Sequence, residues 1–179
     1  MPGGSVLILT GPPGAGKSTV ADVLAHTSQE PSVHLHTDDF YDRFIKSGYV
    51  LPWLPESHSQ NATVTNAIVV AAFAYARGGY FVIVDGIVGP WFVEPYRVAA
   101  EGIPLHYAVL LPQSADIAMT RIRQRGTHGL QAESAVRELY RQFSSLGALE
   151  KHALNTAGLS VEQTAERLRE EMAAGRFVL

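Results

Sequence analysis

Gly11-Pro12-Pro13-Gly14-Ala15-Gly16-Lys17-Ser18 reads G-x-x-x-x-G-K-[ST], and it stands between the apolar run Val6-Leu7-Ile8-Leu9 and the segment Thr19-Val20-Ala21-Asp22-Val23-Leu24. The order is strand, glycine-rich loop, helix, the context in which this spacing makes a phosphate-binding loop. A triphosphate needs a concave ring of backbone N–H groups. Gly11, Gly14 and Gly16 allow the backbone conformations and the close approach that such a ring requires. The helix that follows turns its positive end toward the phosphates. Lys17 has the reach for the β- and γ-phosphates, and the Ser18 hydroxyl is placed to ligate a bridging Mg²⁺. Pro13, Ala15 and Thr19 complete the expected phosphate-contacting set. The motif specifies phosphate binding and is silent about the reaction.

Working outward, β-like and helical segments alternate along the chain with no repeat or linker, which is the α/β pattern. Ser5–Thr10 is nearly all apolar, as a parallel strand covered on both faces should be. A helix is expected from about Gly16 to His26 and a short strand at Val33–His36, leading into Thr37-Asp38-Asp39. Residues 40–59 read as irregular, broken by Gly48, Pro52 and Pro55. A long helix is expected over Asn61–Arg77, its apolar positions taken as Ala67, Val70, Ala71, Ala74 and Tyr75, with Gly78-Gly79 as its stop. Tyr80–Val84 is the most strand-like run and delivers Asp85-Gly86. A helix around Phe92–Ala100, a strand at Leu105–Leu111, a helix capped by Ser114, a helix at Leu130–Leu146 and a strand at His152–Asn155 follow. Ser160-Val161-Glu162-Gln163 has capping-box spacing for the last helix.

The 179 residues suit one domain, 1–179. A formal charge of −3, with the 14 basic residues spread along the chain, gives no excess to neutralise a nucleic-acid backbone. Long nucleic acid is therefore not an expected partner. The absence of cysteine removes disulfide and thiolate chemistry and fits a reducing compartment. No Lys or Arg precedes the first apolar run, and no stretch approaches the ~18–20 apolar residues of a membrane span. A soluble, cytoplasmic protein, monomer or homodimer, is the expectation.

Open α/β sheets place ligands at the C-terminal ends of their strands, which singles out Asp38, Asp39 and Asp85. Transfer to a hydroxyl needs one carboxylate near the acceptor oxygen and another near the metal. Asp38 is the candidate for the first role, and it reads equally as a cap of the helix that follows. Asp39 stands four residues before Arg43, the spacing of an ordinary helical ion pair. Asp85 closes an apolar strand as a metal-associated acid does, and Asp-Gly is also a turn former. Phe40, Tyr41 and Trp53 read either as lining of an acceptor pocket or as core. His34 and His36 lack metal-ligand partner spacing and read as packing residues.

With those residues in place, the chain resembles the small P-loop kinases related to nucleoside-monophosphate kinases, above all the gluconate kinase, shikimate kinase and chloramphenicol phosphotransferase families. Gly48-Tyr49-Val50-Leu51-Pro52-Trp53-Leu54 is similar to the gluconate-kinase substrate stretch, without the acidic and arginine residues that family places before its Pro-Trp-Leu. Arg121-x-x-x-Arg125-Gly126-Thr127-His128 is similar to that family's lid. The resemblance implies ATP as phosphoryl donor, Mg²⁺, a five-stranded parallel sheet ordered 2-3-1-4-5 between helical layers, a substrate-lining segment over about 38–60 and a lid over about 121–130. It also implies adenine stacking by Arg121, stabilisation of the transferring phosphoryl group by Arg125 and an adenine-edge contact at Thr156. The expected acceptor wall comprises Asp39, Phe40, Arg43, Trp53 and Gly86, and the expected catalytic set is Lys17, Asp38 and Arg125. The metal set is Ser18 and Asp85.

The expected function is thus an ATP-dependent phosphotransferase acting on a hydroxyl of a small molecule: a metabolite, a nucleoside or an antibiotic. The competing class is a nucleotide-dependent switch or binding module. A guanine-reading Asn-Lys-x-Asp is absent, and Asp85-Gly86-Ile87-Val88 lacks the D-x-x-G spacing of such switches. A kinase acting on a nucleic-acid end is disfavoured by the acidic charge.

Overall fold

Ser5–Thr10 forms β1, and Val6, Leu7, Ile8 and Leu9 within it are each wholly buried. Strand side chains alternate between faces, so one run of four apolar residues serves two cores. Val6 and Ile8 join Val82, Val84, Tyr107 and Val109 on one face. Leu7 and Leu9 join Ile83, Ala108 and Leu110 on the other. The computed structural model describes residues 4–112 and 133–179. Within these, β1, β2 (Ser32–His36), β3 (Phe81–Asp85), β4 (Leu105–Leu111) and β5 (Ala153–Asn155) make one parallel sheet ordered β2-β3-β1-β4-β5. The registers are continuous, with Leu9 opposite Asp85 and Asp85 opposite His36.

Helices cover both faces. On one side lie α1 (Lys17–His26) and the last helix, α6 (Val161–Ala173), which bury Val20, Leu24, Ala165 and Leu168 against the sheet. On the other lie α3 (His58–Arg77), α4 (Glu94–Ala100) and, through Phe143, α5 (Glu133–Phe143). The short α2 (Thr37–Asp42) leaves the end of β2 directly. The start of α6 is the expected capping box: Ser160 Oγ accepts from the Gln163 backbone N–H, and Gln163 Oε1 accepts from that of Ser160. Among the described residues no helix is long and apolar enough to cross a membrane.

Several sequence expectations need correcting. The long helix starts at His58 rather than Asn61, and it buries Val64, Ile68, Val69, Ala72, Phe73 and Ala76, while Val70 and Tyr75 are exposed. The segment is apolar on most of its circumference, so periodicity does not single out the buried stripe. Residues 40–59 are less irregular than expected. α2 runs to Asp42, and Pro55–Ser57 forms a 3₁₀ turn. Gln60 clamps the stretch by accepting from Val50 N–H at 2.8 Å and donating to Val50 O at 2.7 Å, and Asn61 donates to Pro52 O at 2.8 Å. The expected helix around Phe92 is divided into a 3₁₀ turn at Pro90–Phe92 and α4. His152 closes a 3₁₀ turn instead of opening β5. The chain end forms an additional edge: Tyr107 N–H donates to Phe177 O, Leu179 N–H donates to Leu105 O, and His106 bridges Val178 antiparallel. β5 pairs only with Val109–Leu111, so this segment covers the part of β4 that β5 leaves open.

Candidate functional site

The site grows from the C-terminal end of β1. The loop between β1 and α1 has positive φ at Gly11, Gly14 and Gly16. At Gly11 two demands coincide. Its φ of 141° is rare for an L side chain, and a Cβ there would overlap the carbonyl oxygen of Leu110 on β4. The loop is thereby pressed against the sheet end, with Pro13 and Ala15 buried and Thr19 exposed beyond it. Lys17 Nζ donates back to Gly11 O at 3.0 Å and to Pro12 O at 3.2 Å, which holds the ammonium over the loop.

β3 brings Asp85 to the same edge. Its side chain is fully buried, and Oδ1 has no hydrogen-bond partner among the described residues. The loop after β3 is fixed to β1, where Thr10 Oγ1 accepts from Val88 N–H at 2.9 Å. Gly86, expected in the acceptor wall, instead lies buried beneath Thr37; any side chain there would overlap the threonine. This close approach of α2 to β3 sets the position of the next residue, Asp38.

Asp38 is not the cap of α2. That position is His36, and no side chain caps the helix. Asp38 is solvent-accessible, yet desolvation by the surrounding protein raises its pKa, with the charges of His36 and Lys17 pulling the other way. The lysine of the loop thus acts on it electrostatically. Tyr41, one helical turn from Asp38, has its pKa pushed up to about 12 by burial and by the Asp38 charge. Asp39 points elsewhere and accepts from Arg43 Nε at 2.9 Å in the expected i,i+4 pair. Phe40 packs partly against the core and edge-on to Phe44, and Trp53 is exposed on the clamped segment. Thr156 follows β5, its N–H donating to Leu111 O at 3.0 Å. Arg121, Arg125 and the expected lid lie outside the described residues.

The reading of His34 and His36 as packing residues is wrong. Being two apart on β2, they share a sheet face, and both turn toward Asp85. His34 Nε2 lies 3.3 Å and His36 Nε2 3.5 Å from Asp85 Oδ2. His36 Nε2 also shares a hydrogen bond of 3.2 Å with Ser18 Oγ, and His34 Nδ1 lies 3.0 Å from Asp22 Oδ1. Ser18 and Asp22 are four apart on α1 and so occupy one helix face. The signal in the sequence was this pairing of an i,i+4 polar face with an i,i+2 polar face, not a metal-ligand spacing.

The charges follow. Burial works against ionisation of Asp85, but the His34 hydrogen bond, Lys17, the Ser18 hydroxyl and His36 outweigh it and lower its pKa. Burial alone would also lower the pKa of His34; hydrogen bonds to Asp85 and Asp22 reverse this and raise it above 6.5. A group with a raised folded-state pKa contributes stability that is fully present below its unfolded value and is lost as pH rises through the folded one. The Asp85 contribution is present above 3.8 and lost as pH falls through its lowered value. The stability advantage of wild type over His34→Gln should therefore be largest between about pH 4 and 6.5 and shrink at higher pH. Urea denaturation of both proteins at pH 5.5 and pH 8.5 checks this. An advantage that does not change between the two would contradict it.

The residues fit a divalent cation on the observation that a buried carboxylate oxygen, Asp85 Oδ1, lacks a partner among the described residues while a hydroxyl, Ser18 Oγ, stands nearby. Hard oxygen donors in small number, completed by phosphate oxygens and water, suit Mg²⁺.

Comparisons with known proteins agree with this architecture. Residues 6–146 match the family model described as AAA domain. No curated protein matches the sequence. Among solved structures, the APS kinase CysC of Mycobacterium tuberculosis, in complex with AMPPNP and APS, is 18% identical, with 97% of this chain and 99% of that chain covered and a TM-score of 0.68. The tunicamycin resistance protein of Deinococcus radiodurans is 16% identical over 98% of each chain, with a TM-score of 0.65. A gluconokinase from Sinorhizobium meliloti 1021 is 16% identical, covering 96% of this chain and 97% of that one, with a TM-score of 0.61. At these identities the structures share the fold. With its phosphate-binding loop at the end of β1 and a sheet ordered 2-3-1-4-5, the chain belongs to the AAA-domain family and has the fold of the small P-loop kinases.

Proposed function

We propose that this protein is an ATP-dependent phosphotransferase that moves the γ-phosphate of Mg-ATP to a hydroxyl group of a small molecule. The observation that carries the reading is the placement of Asp38: an exposed carboxylate in the first turn of α2, directly after β2 at the C-terminal edge of the sheet, with the charge of Lys17 acting on it. A switch protein needs no such group, whereas transfer to an alcohol does.

In this reading the loop backbone and Lys17 hold the β- and γ-phosphates of ATP. Ser18 and Asp85 would hold Mg²⁺, which supplies neutralisation of phosphate charge. Asp38 orients the acceptor hydroxyl and takes its proton as the new oxygen–phosphorus bond forms. The bond from the γ-phosphorus to the bridging oxygen breaks, and ADP leaves. The raised pKa of Asp38 makes it a stronger base than a free aspartate. The clamped segment 50–61 and Trp53 form one side of the acceptor space, and Thr156 approaches the adenine edge.

Incubation of the protein with Mg-ATP and a metabolite library, read by mass spectrometry, tests the proposal. A compound that gains one phosphate group only when protein and ATP are both present is the expected result. ATP hydrolysis alone, unaffected by any member of a broad hydroxyl-bearing library, would contradict it.

A further inference from the structure

Two carboxylates with one imidazole between them run from α1 through β2 to β3, and one oxygen of the inner carboxylate has no partner among the described residues. His34 Nδ1 lies 3.0 Å from Asp22 Oδ1, and His34 Nε2 lies 3.3 Å from Asp85 Oδ2. With a carboxylate at each ring nitrogen, the imidazole is held at both ends and cannot rotate without losing one contact. The exposures are graded along the line. Asp22 has 64% of its side-chain surface open, His34 17% and Asp85 none. The line therefore runs from solvent to the buried carboxylate beside the phosphate-binding loop.

Its spacing follows from the secondary structure. Ser18 and Asp22 are separated by about 6 Å along α1, at four residues of helical rise. His34 and His36 are separated by about 6.6 Å along β2, at two residues of strand rise. The two ladders match, so Ser18 meets His36 while Asp22 meets His34. Of the two Asp85 oxygens, Oδ2 takes His34 and lies nearest His36, and Oδ1 is left buried without a partner among the described residues.

We propose that Asp22 and His34 are a positioning pair that holds Asp85 by its Oδ2, leaving Oδ1 to take the divalent cation that accompanies the nucleotide. The inference rests on the proposed binding of Mg-ATP and deepens it. His34 acts through Asp85 and is a positioning residue, not a cation ligand. Outer hydrogen-bond partners of this kind orient the group that binds the metal, and their loss typically costs 10–100-fold in metal affinity.

The test separates metal from nucleotide. Binding of a fluorescent ATP analogue is measured in EDTA and across a Mg²⁺ titration for wild type, His34→Leu, His34→Gln and Asp22→Ala. In His34→Leu the Mg²⁺ concentration for half-maximal enhancement of binding should rise ~10-fold or more, while binding in EDTA stays within about twofold, the margin set by a group that does not touch nucleotide. His34→Gln, whose side-chain amide can donate to Asp85, should recover most of the loss. Asp22→Ala should shift the Mg²⁺ requirement in the same direction by less. If His34→Leu does not fold, the Asp22→Ala titration decides the matter: a raised Mg²⁺ requirement supports the pair, and an unchanged one overturns it. Unchanged Mg²⁺ dependence in His34→Leu and Asp22→Ala, or an equal fall in affinity with and without Mg²⁺, overturns the pair as a metal-side device while leaving ATP binding intact. A wild type whose nucleotide binding does not respond to Mg²⁺ overturns both readings.

Discussion

Asp38→Asn is expected to bind Mg-ATP as the wild type does and to lose ~10²–10⁴ in phosphoryl-transfer rate, the range that a positioned proton acceptor contributes. The substitution keeps the shape of the side chain and removes its charge and its basicity. Adjacent residues on a helix point in different directions, so Asp38 and Asp39 cannot both face one hydroxyl. In the structure the charges of His36, Lys17 and Asp85 act on Asp38, whereas Asp39 is engaged by Arg43. Asp39→Asn should accordingly leave the rate close to wild type and cost only ~0.2–0.5 kcal/mol of stability, the scale of a surface i,i+4 pair. Steady-state rates for the two variants with the acceptor found in the library screen decide the assignment. A severe loss in Asp39→Asn beside a mild one in Asp38→Asn would reverse it.

Lys17→Ala has the second large effect, and its signature differs. Lys17 is the cation that the structure holds over the loop, bonded to Gly11 O and Pro12 O. An ammonium meeting phosphate oxygens contributes in the ground state and in the transition state alike. Its removal should weaken ATP binding ~10–100-fold, at ~1.5–3 kcal/mol for a charge-assisted hydrogen bond. It should also lower kcat, since charge on the transferring group grows as the bond to ADP breaks. Calorimetric titration with ATP and steady-state kinetics on the same preparation separate the two effects. Wild-type ATP affinity in Lys17→Ala would contradict the role.

The parts of the molecule legible in the sequence are those where a local rule and the tertiary structure ask for the same residue. Val6-Leu7-Ile8-Leu9 had to be a strand covered on both faces, because no amphipathic surface element would carry four consecutive large apolar residues. The loop at 11–18 is determined by glycine spacing, and Asp85 by its place at the end of an apolar strand. The strand order came from the resemblance, since alternation of strands and helices allows more than one parallel order. What was missed depends on contacts between elements. The buried stripe of α3 is chosen by packing, because its alanines and valines are distributed around the helix. His34 and His36 looked like isolated histidines until the register of β2 against β3, and of α1 over both, brought them to Asp85. Gly86 looked like part of an open wall because the sequence does not show Thr37 lying on it. The pairing of residues 177–179 with β4 had no local signal at all, since three residues carry no period.

All of the chemistry rests on the loop at 11–18 holding the triphosphate of ATP, and thermal unfolding with and without nucleotide tests this most directly. At ~100 times its dissociation constant, Mg-ATP should add ~2.7 kcal/mol to the stability of the native state and raise Tm accordingly. The added stability should fall to ~0.4–1.4 kcal/mol in Lys17→Ala at the same nucleotide concentration and be retained in Asp38→Asn. A wild-type melting curve unmoved by saturating Mg-ATP, or one moved strongly by GTP and not by ATP, would contradict it.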